Sequence, residues 1–200
     1  MRLVTTPRVT FLRALADEIL QHHGRGRVIV AIDGPLQSGK TAFGDDLAAV
    51  FAEREHAVFR ASMEGFHRSR AAQAAFGADT PARYHAHGFD ESALRRVLVE
   101  PFRLGGSTAF VTRVLDPARD AWVEPKWLTG PHDAILVLDG RFVLRDRLAG
   151  LWDFRIALDG DPVDPADKLA YAEGDPRIAA SAVVDNSDPE HPRRRFFDSC

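Results

Sequence analysis

The sequence predicts an α/β fold, a doubly wound parallel sheet in three α/β/α layers with helices on both faces. Short apolar or β-branched runs alternate with segments of helical periodicity along the chain. Two of these runs, Val28 to Asp33 and Ala134 to Gly140, stay apolar until a terminal acid, as strands buried on both faces do. The first run leads directly into Gly34-Pro35-Leu36-Gln37-Ser38-Gly39-Lys40-Thr41, a glycine-bounded turn followed by a helical pattern.

Composition narrows the classes before any motif is weighed. Two hundred residues fit one domain over 1–200, with an N-terminal helix in 1–26 packed on it and a weakly ordered tail over 187–200. The net charge of -3 lacks the basic footprint of a nucleic-acid binder, so nucleic acid is not an expected partner. No apolar run reaches membrane-spanning length. The single cysteine, Cys200, permits no disulfide within the chain, and the expected compartment is the cytoplasm. Arg2, Arg8 and Arg13 precede the first acid, Asp17, as in a transit peptide. Val9, Leu12, Ala16, Ile19 and Leu20 nevertheless share one helical face, so residues 7–22 are read as an amphipathic helix ended by Gly24 and Gly26.

In chain order, a helix is expected from Thr41 to about Arg54 and a second strand over 57–62, running into the polar stretch from Met63 to Arg70. Residues 71–90 lack periodicity and read as loop or short helix. Asp90 caps a helix with Ala93, Leu94, Val97 and Leu98 on one face. Phe110 to Leu115 is strand-like, Asp116-Pro117 a turn and Ala121 to Val123 its return. After the strand at 134–140, a helix is expected from Phe142 to Leu151, then a strand at 154–159. An acidic loop covers 160–167, Lys168 to Glu173 makes a helical turn, Asp175-Pro176 starts another, and 182–185 closes as a strand.

The octet Gly34 to Thr41 is the G-x-x-x-x-G-K-[ST] phosphate-binding pattern. Chance would place it in roughly one chain in a hundred of this size, and the flanking strand and helix reduce that further. Gly34, Gln37, Ser38, Gly39, Lys40, Thr41 and Ala42 are therefore the expected nucleotide contacts. Backbone N–H groups and the helix N-terminus face the phosphates. Lys40 reaches the β- and γ-phosphates, and Thr41 ligates Mg²⁺. Asp139 ends an apolar strand before Gly140, which suits a second Mg²⁺ ligand; capping the next helix is the alternative. Glu64, just past the second strand, is the candidate general base, weighed equally against a solvated loop glutamate. In a parallel sheet these groups gather at the carboxyl ends of the strands, together with Asp159.

Arg68, Arg70 and Arg83 are candidates to clamp phosphate, with surface charge the commoner fate of each alone. Tyr84, Trp122 and Trp127 are candidates to stack on a base, with packing the alternative. Asp90 is a helix cap or a substrate ligand, and Asp185-Asn186 is a candidate border of an adenine pocket. Phe66, His67, Arg68, Arg83, Tyr84 and Asp90 together make the candidate substrate contacts. His67, His85 and His87 have no third ligand at zinc spacing.

Ala31-Ile32-Asp33-Gly34 through Lys40-Thr41 and Ser62-Met63-Glu64-Gly65-Phe66-His67-Arg68 resemble the uridine kinase-like group of P-loop kinases. Phe89-Asp90, Leu138-Asp139-Gly140, Leu151-Trp152-Asp153, Glu173-Gly174-Asp175-Pro176 and Val184-Asp185-Asn186 continue the likeness in order, over about residues 25–190. The resemblance implies a nucleoside monophosphate kinase-like fold, ATP and Mg²⁺ as cofactors, and transfer of the γ-phosphate to a hydroxyl of a nucleoside or similar small acceptor. Two departures accompany it. The family has Asp where this chain has Glu64, and misplacing a reacting group by about 1 Å can cost ~100-fold in rate. The family's arginine-bearing lid is reduced to Gly160–Asp167, with four aspartates and no arginine. Transfer then needs positive charge from Arg68, Arg141 or a partner chain, which leaves a homodimer open. The alternative is a nucleotide-binding relative with a regulatory role and little transfer. A motor or switch is disfavoured, since no sensor or switch sequence is evident.

Overall fold

The computed structural model describes residues 2–196. The last four positions of the expected tail, Cys200 among them, lie outside the described residues. Helix α1 (Pro7–His23) starts where the Thr6 hydroxyl accepts from Val9 N, with Pro7 in the first turn, where its missing N–H costs nothing. Strand β1 (Val28–Asp33) is buried along its whole length and feeds the glycine-bounded turn. Helix α2 (Lys40–Glu53) follows, then strand β2 (Val58–Ser62), a 3₁₀ turn (Met63–Phe66), and short helices α3 (Arg70–Ala74) and α4 (Pro81–His87).

Asp90 caps α5 (Glu91–Leu94) by accepting from Ala93 N. A π-helical turn (Arg95–Val99) carries α5 into α6 (Glu100–Leu104). Pro101 has no N–H to offer the preceding turn, and the Val97 carbonyl accepts instead from Val111 N at 2.9 Å. A hairpin of β3 (Leu115–Asp116) and β4 (Ala121–Trp122) precedes β5 (Ile135–Asp139), a 3₁₀ helix (Asp146–Leu151) and β6 (Phe154–Asp159). The chain ends with α7 (Pro165–Glu173), α8 (Pro176–Ala179), β7 (Ala182–Asp185) and β8 (Arg193–Arg195).

The main sheet runs β2-β5-β1-β6-β7-β8, with the first five strands parallel and β8 antiparallel. Alternation along β1 divides the core. Val28, Val30 and Ile32 face α1 and α2 with Leu12, Ile19, Phe43, Leu47 and Phe51. Ile29 and Ala31 face the other layer with Phe66, Leu94, Leu98, Phe102, Phe142 and Trp152. Both faces are covered, as the continuous apolar runs require. Arg13 to Glu53, Arg54 to Asp17 and Arg8 to Asp46 fasten α1 to α2. No described helix is long and apolar enough to cross a membrane.

Four boundary expectations are corrected. Only Leu115 of the expected strand 110–115 pairs in the hairpin, with Asp116, expected in the turn, as its neighbour; Phe110 makes one bridge to Leu128 and otherwise packs against Phe59 and Phe102. Its apolar character serves packing rather than lateral pairing. The expected helix at 142–151 is helical only over the 3₁₀ segment, because Phe142 sits at φ 64° and the Asp33 carboxylate takes Leu144 N. Helix α7 begins at Pro165, not Lys168, since Asp164 caps it and Pro165 fits the first turn. The tail over 187–200 is ordered at β8, where Arg194 binds Glu18 and Arg195 binds Asp159 and Asp185.

Candidate phosphoryl-transfer site

Register places the strand ends side by side: Ile32 and Ser62 both lie opposite Asp139. The turn from Gly34 to Gly39 rises from this edge. Gln37 and Gly39 hold φ values of 67° and 81°, a left-handed region that glycine enters without strain. A Cβ at Gly39 would lie 2.8 Å from the Asn186 amide nitrogen. That amide donates to Ser38 O, and its oxygen accepts from Arg8. Asn186, the candidate border of an adenine pocket, is buried with its side chain on the loop backbone and Arg8.

The Lys40 ammonium donates to Gly34 O (3.0 Å) and Pro35 O (2.7 Å). Burial pushes its pKa down, against the opposing pull of Asp33 and Asp167. Burial also pushes the Asp33 carboxyl up, although it accepts from Gly34 N and Leu144 N. Thr41, with Ala42 in the first turn of α2, lies at the helix N-terminus, where backbone N–H groups and the helix dipole favour an anion.

Thr41 Oγ1 donates to Asp139 Oδ2 at 2.8 Å, so the two expected Mg²⁺ ligands converge. Their chemistry fits that ion, which takes hard oxygen donors and commonly only one or two from protein. Asp139 is 2% exposed, and its other oxygen accepts from Arg60 at 2.8 Å. The reading of the sequence gave Arg60 no role. The available signal was Gly44 within α2, where a Cβ would meet the Arg60 guanidinium at 2.8 Å.

Glu64 opens into a cavity of about 380 Å³ that Thr41, Arg60, Arg113 and Asp139 also line. Its carboxylate lies 3.7 Å from His67 Nε2, which is 3.1 Å from the Tyr84 hydroxyl. Burial pushes the Tyr84 phenol up, keeping it neutral. Three other substrate expectations are corrected. Phe66 is fully buried in the core. Arg68 is spent on the His87 and Phe89 carbonyls and covers Phe76. Arg83 folds back on Gly77 O and Asp79. Asp90 is the α5 cap, with Arg68 4.0 Å away. Asp159 is paired with Arg177 and Arg195.

Helix α7 takes in the last three residues of the shortened segment Gly160–Asp167. Asp167 accepts from Leu36 N in the phosphate turn (2.8 Å) and from Arg141 Nε (2.8 Å). Arg141 also binds Asp164 and lies over the Tyr84 and Phe142 rings. The guanidinium expected to replace the lid arginines is thus held by two carboxylates.

The fold is shared with solved structures described as kinases. A protein described as a possible uridine kinase from Bacillus stearothermophilus matches with TM-score 0.76 at 22% identity, over 89% of this chain and 97% of its own. A provisionally assigned fructose transport system kinase from Silicibacter sp. TM1040 matches with TM-score 0.62 at 25% identity, over 81% and 78%. A D-glycerate 3-kinase from Cryptococcus neoformans matches with TM-score 0.54 at 10% identity, over 82% and 76%. No protein-family model matches the sequence, and neither does any curated protein.

Proposed function

We propose that the chain is an ATP- and Mg²⁺-dependent phosphotransferase that moves the γ-phosphate to a hydroxyl of a nucleoside or similar small acceptor. The carrying observation is the meeting of Thr41 with Asp139 beside Lys40, at the N-terminus of α2. The phosphate chain lies along the backbone N–H groups of Ser38 to Ala42, with Lys40 at its far end. Thr41 and Asp139 would hold Mg²⁺, which would supply charge neutralisation to the phosphate oxygens. Glu64 accepts the proton of the acceptor hydroxyl in the same cavity, with His67 and Tyr84 behind it.

The Arg141 latch favours a second reading, a nucleotide-binding relative with little transfer. With Arg141 tied to Asp164 and Asp167, that guanidinium is not free to reach a transferring phosphoryl group. Labelled-ATP transfer over a panel of nucleosides, sugars and hydroxy acids separates the two, using wild type, Glu64→Gln, Glu64→Asp and Lys40→Met. Product that vanishes in Glu64→Gln and Lys40→Met supports the kinase. Nucleotide binding without product on any acceptor supports the second reading, and no nucleotide binding at all overturns both.

A further inference from the structure

Arg8 lies in the first turn of α1 and is buried against α2. Its Nε donates to Asp46 Oδ2 (2.6 Å), its guanidinium covers the Phe43 ring, and its Nη1 donates to Pro189 O (2.6 Å). Nη1 also donates to Asn186 Oδ1 at 3.2 Å, and Asn186 Nδ2 donates to Ser38 O at 3.0 Å. A continuous chain of hydrogen bonds thus runs from the N-terminal helix to the phosphate turn.

A guanidinium has donors and no acceptor, so the Asn186 atom facing Arg8 must be its amide oxygen. The amide nitrogen is thereby turned to Ser38 O, where only a donor is tolerated. Asn186 is buried and sits so close to the turn that a Cβ at Gly39 would lie 2.8 Å from that nitrogen. The Ser38–Gly39 peptide plane is rigid and trans, so fixing Ser38 O toward Asn186 sends the Gly39 N–H to the opposite side. Gly39 stands at φ 81° with no Cβ to resist rotation of that plane, which therefore depends on an outside hold. Without Arg8 the amide can turn over and set two oxygens against each other. The Ser38 carbonyl then swings away, and the turn offers a phosphate an acceptor where it had offered a donor.

We infer that Arg8 is a positioning residue for nucleotide binding, acting through Asn186 to hold the Gly39 N–H in its phosphate-facing orientation. Its role rests on the reading that nucleotide phosphates bind along this turn. Asp46 and Phe43, which locate Arg8, belong to α2, the helix that begins at Lys40. Helix α1 is thereby a working part of the phosphate site as well as a helix packed on the domain.

The test is calorimetric titration of the full chain with ATP and Mg²⁺, alongside urea unfolding. Wild type is compared with Arg8→Met, Asn186→Asp, Asn186→Ala, the double variant Arg8→Met/Asn186→Ala and Glu53→Gln. Arg8→Met is expected to weaken ATP binding about tenfold. Asn186→Asp, which keeps an acceptor for Arg8 but sets an oxygen against Ser38 O, should weaken it as much. The double variant should bind no more weakly than Asn186→Ala alone, because Arg8 works through that amide. Glu53→Gln loosens the same two helices away from the turn, and should lose stability while keeping wild-type affinity. Wild-type affinity in Arg8→Met or Asn186→Asp overturns the role, as do additive losses in the double variant or an equal loss in Glu53→Gln. If Arg8→Met fails to fold, Asn186→Asp decides. A wild-type chain that takes no ATP overturns the phosphate-site reading itself, and the role of Arg8 with it.

Discussion

The Thr41 hydroxyl donates to the Asp139 carboxylate at 2.8 Å, joining the first turn of α2 to the end of β5. Arg60 takes the other carboxylate oxygen, so a nearly fully buried anion is balanced by one cation. Removing that cation leaves Asp139 buried and uncompensated. Arg60→Met is expected to lower stability by about 2 kcal/mol, short of the usual loss for a fully buried pair because Arg60 is partly solvated. Urea unfolding checks it, and an unchanged midpoint contradicts it.

Asp167 ties α7 to the phosphate turn through Leu36 N and Arg141. Asp167→Asn strands the Arg141 guanidinium with Asp164 alone. A loss of about 2–3 kcal/mol is expected, with faster tryptic cleavage after Lys168 as α7 loosens. Cleavage at the wild-type rate would show that the latch does not hold the helix.

Glu53 accepts from Arg13 and Leu3 N, and these bonds pull its pKa to about 2. A depressed folded-state pKa adds stability above the ordinary carboxylate value, and that stability is lost as pH falls through about 2. The thermal midpoint of wild type should therefore exceed that of Glu53→Gln by a constant margin above about pH 5. The margin should close on acidification toward pH 2. A margin that persists at the acid end would assign the difference to packing.

Phe66 is a core residue rather than a substrate contact. Phe66→Ala should cost about 3–5 kcal/mol in chemical denaturation. A change in acceptor KM without that loss of stability would restore the substrate role.

Local patterns gave most elements because their signals are local. Val28–Asp33 and Phe154–Asp159 match their apolar runs, and Asp90 and Asp175 cap helices where capping chemistry places them. The misreadings share a cause. Phe110, Phe142 and Arg194 take their conformations from distant partners: Phe59 and Phe102, the Asp33 carboxylate beside Leu144, and Glu18. A window of neighbouring residues contains none of these.

The sequence by itself determined the alternation of strands and helices, the phosphate turn and the acid at the end of β5, because backbone geometry and hydrophobic periodicity act over a few residues. Tertiary structure alone decided that Arg60 balances Asp139, that Asn186 grips the turn and that Asp167 latches α7 onto it. It also decided which arginines were spent internally. The physical reason is that a charge's partner is set by proximity in three dimensions, and burial makes that pairing compulsory.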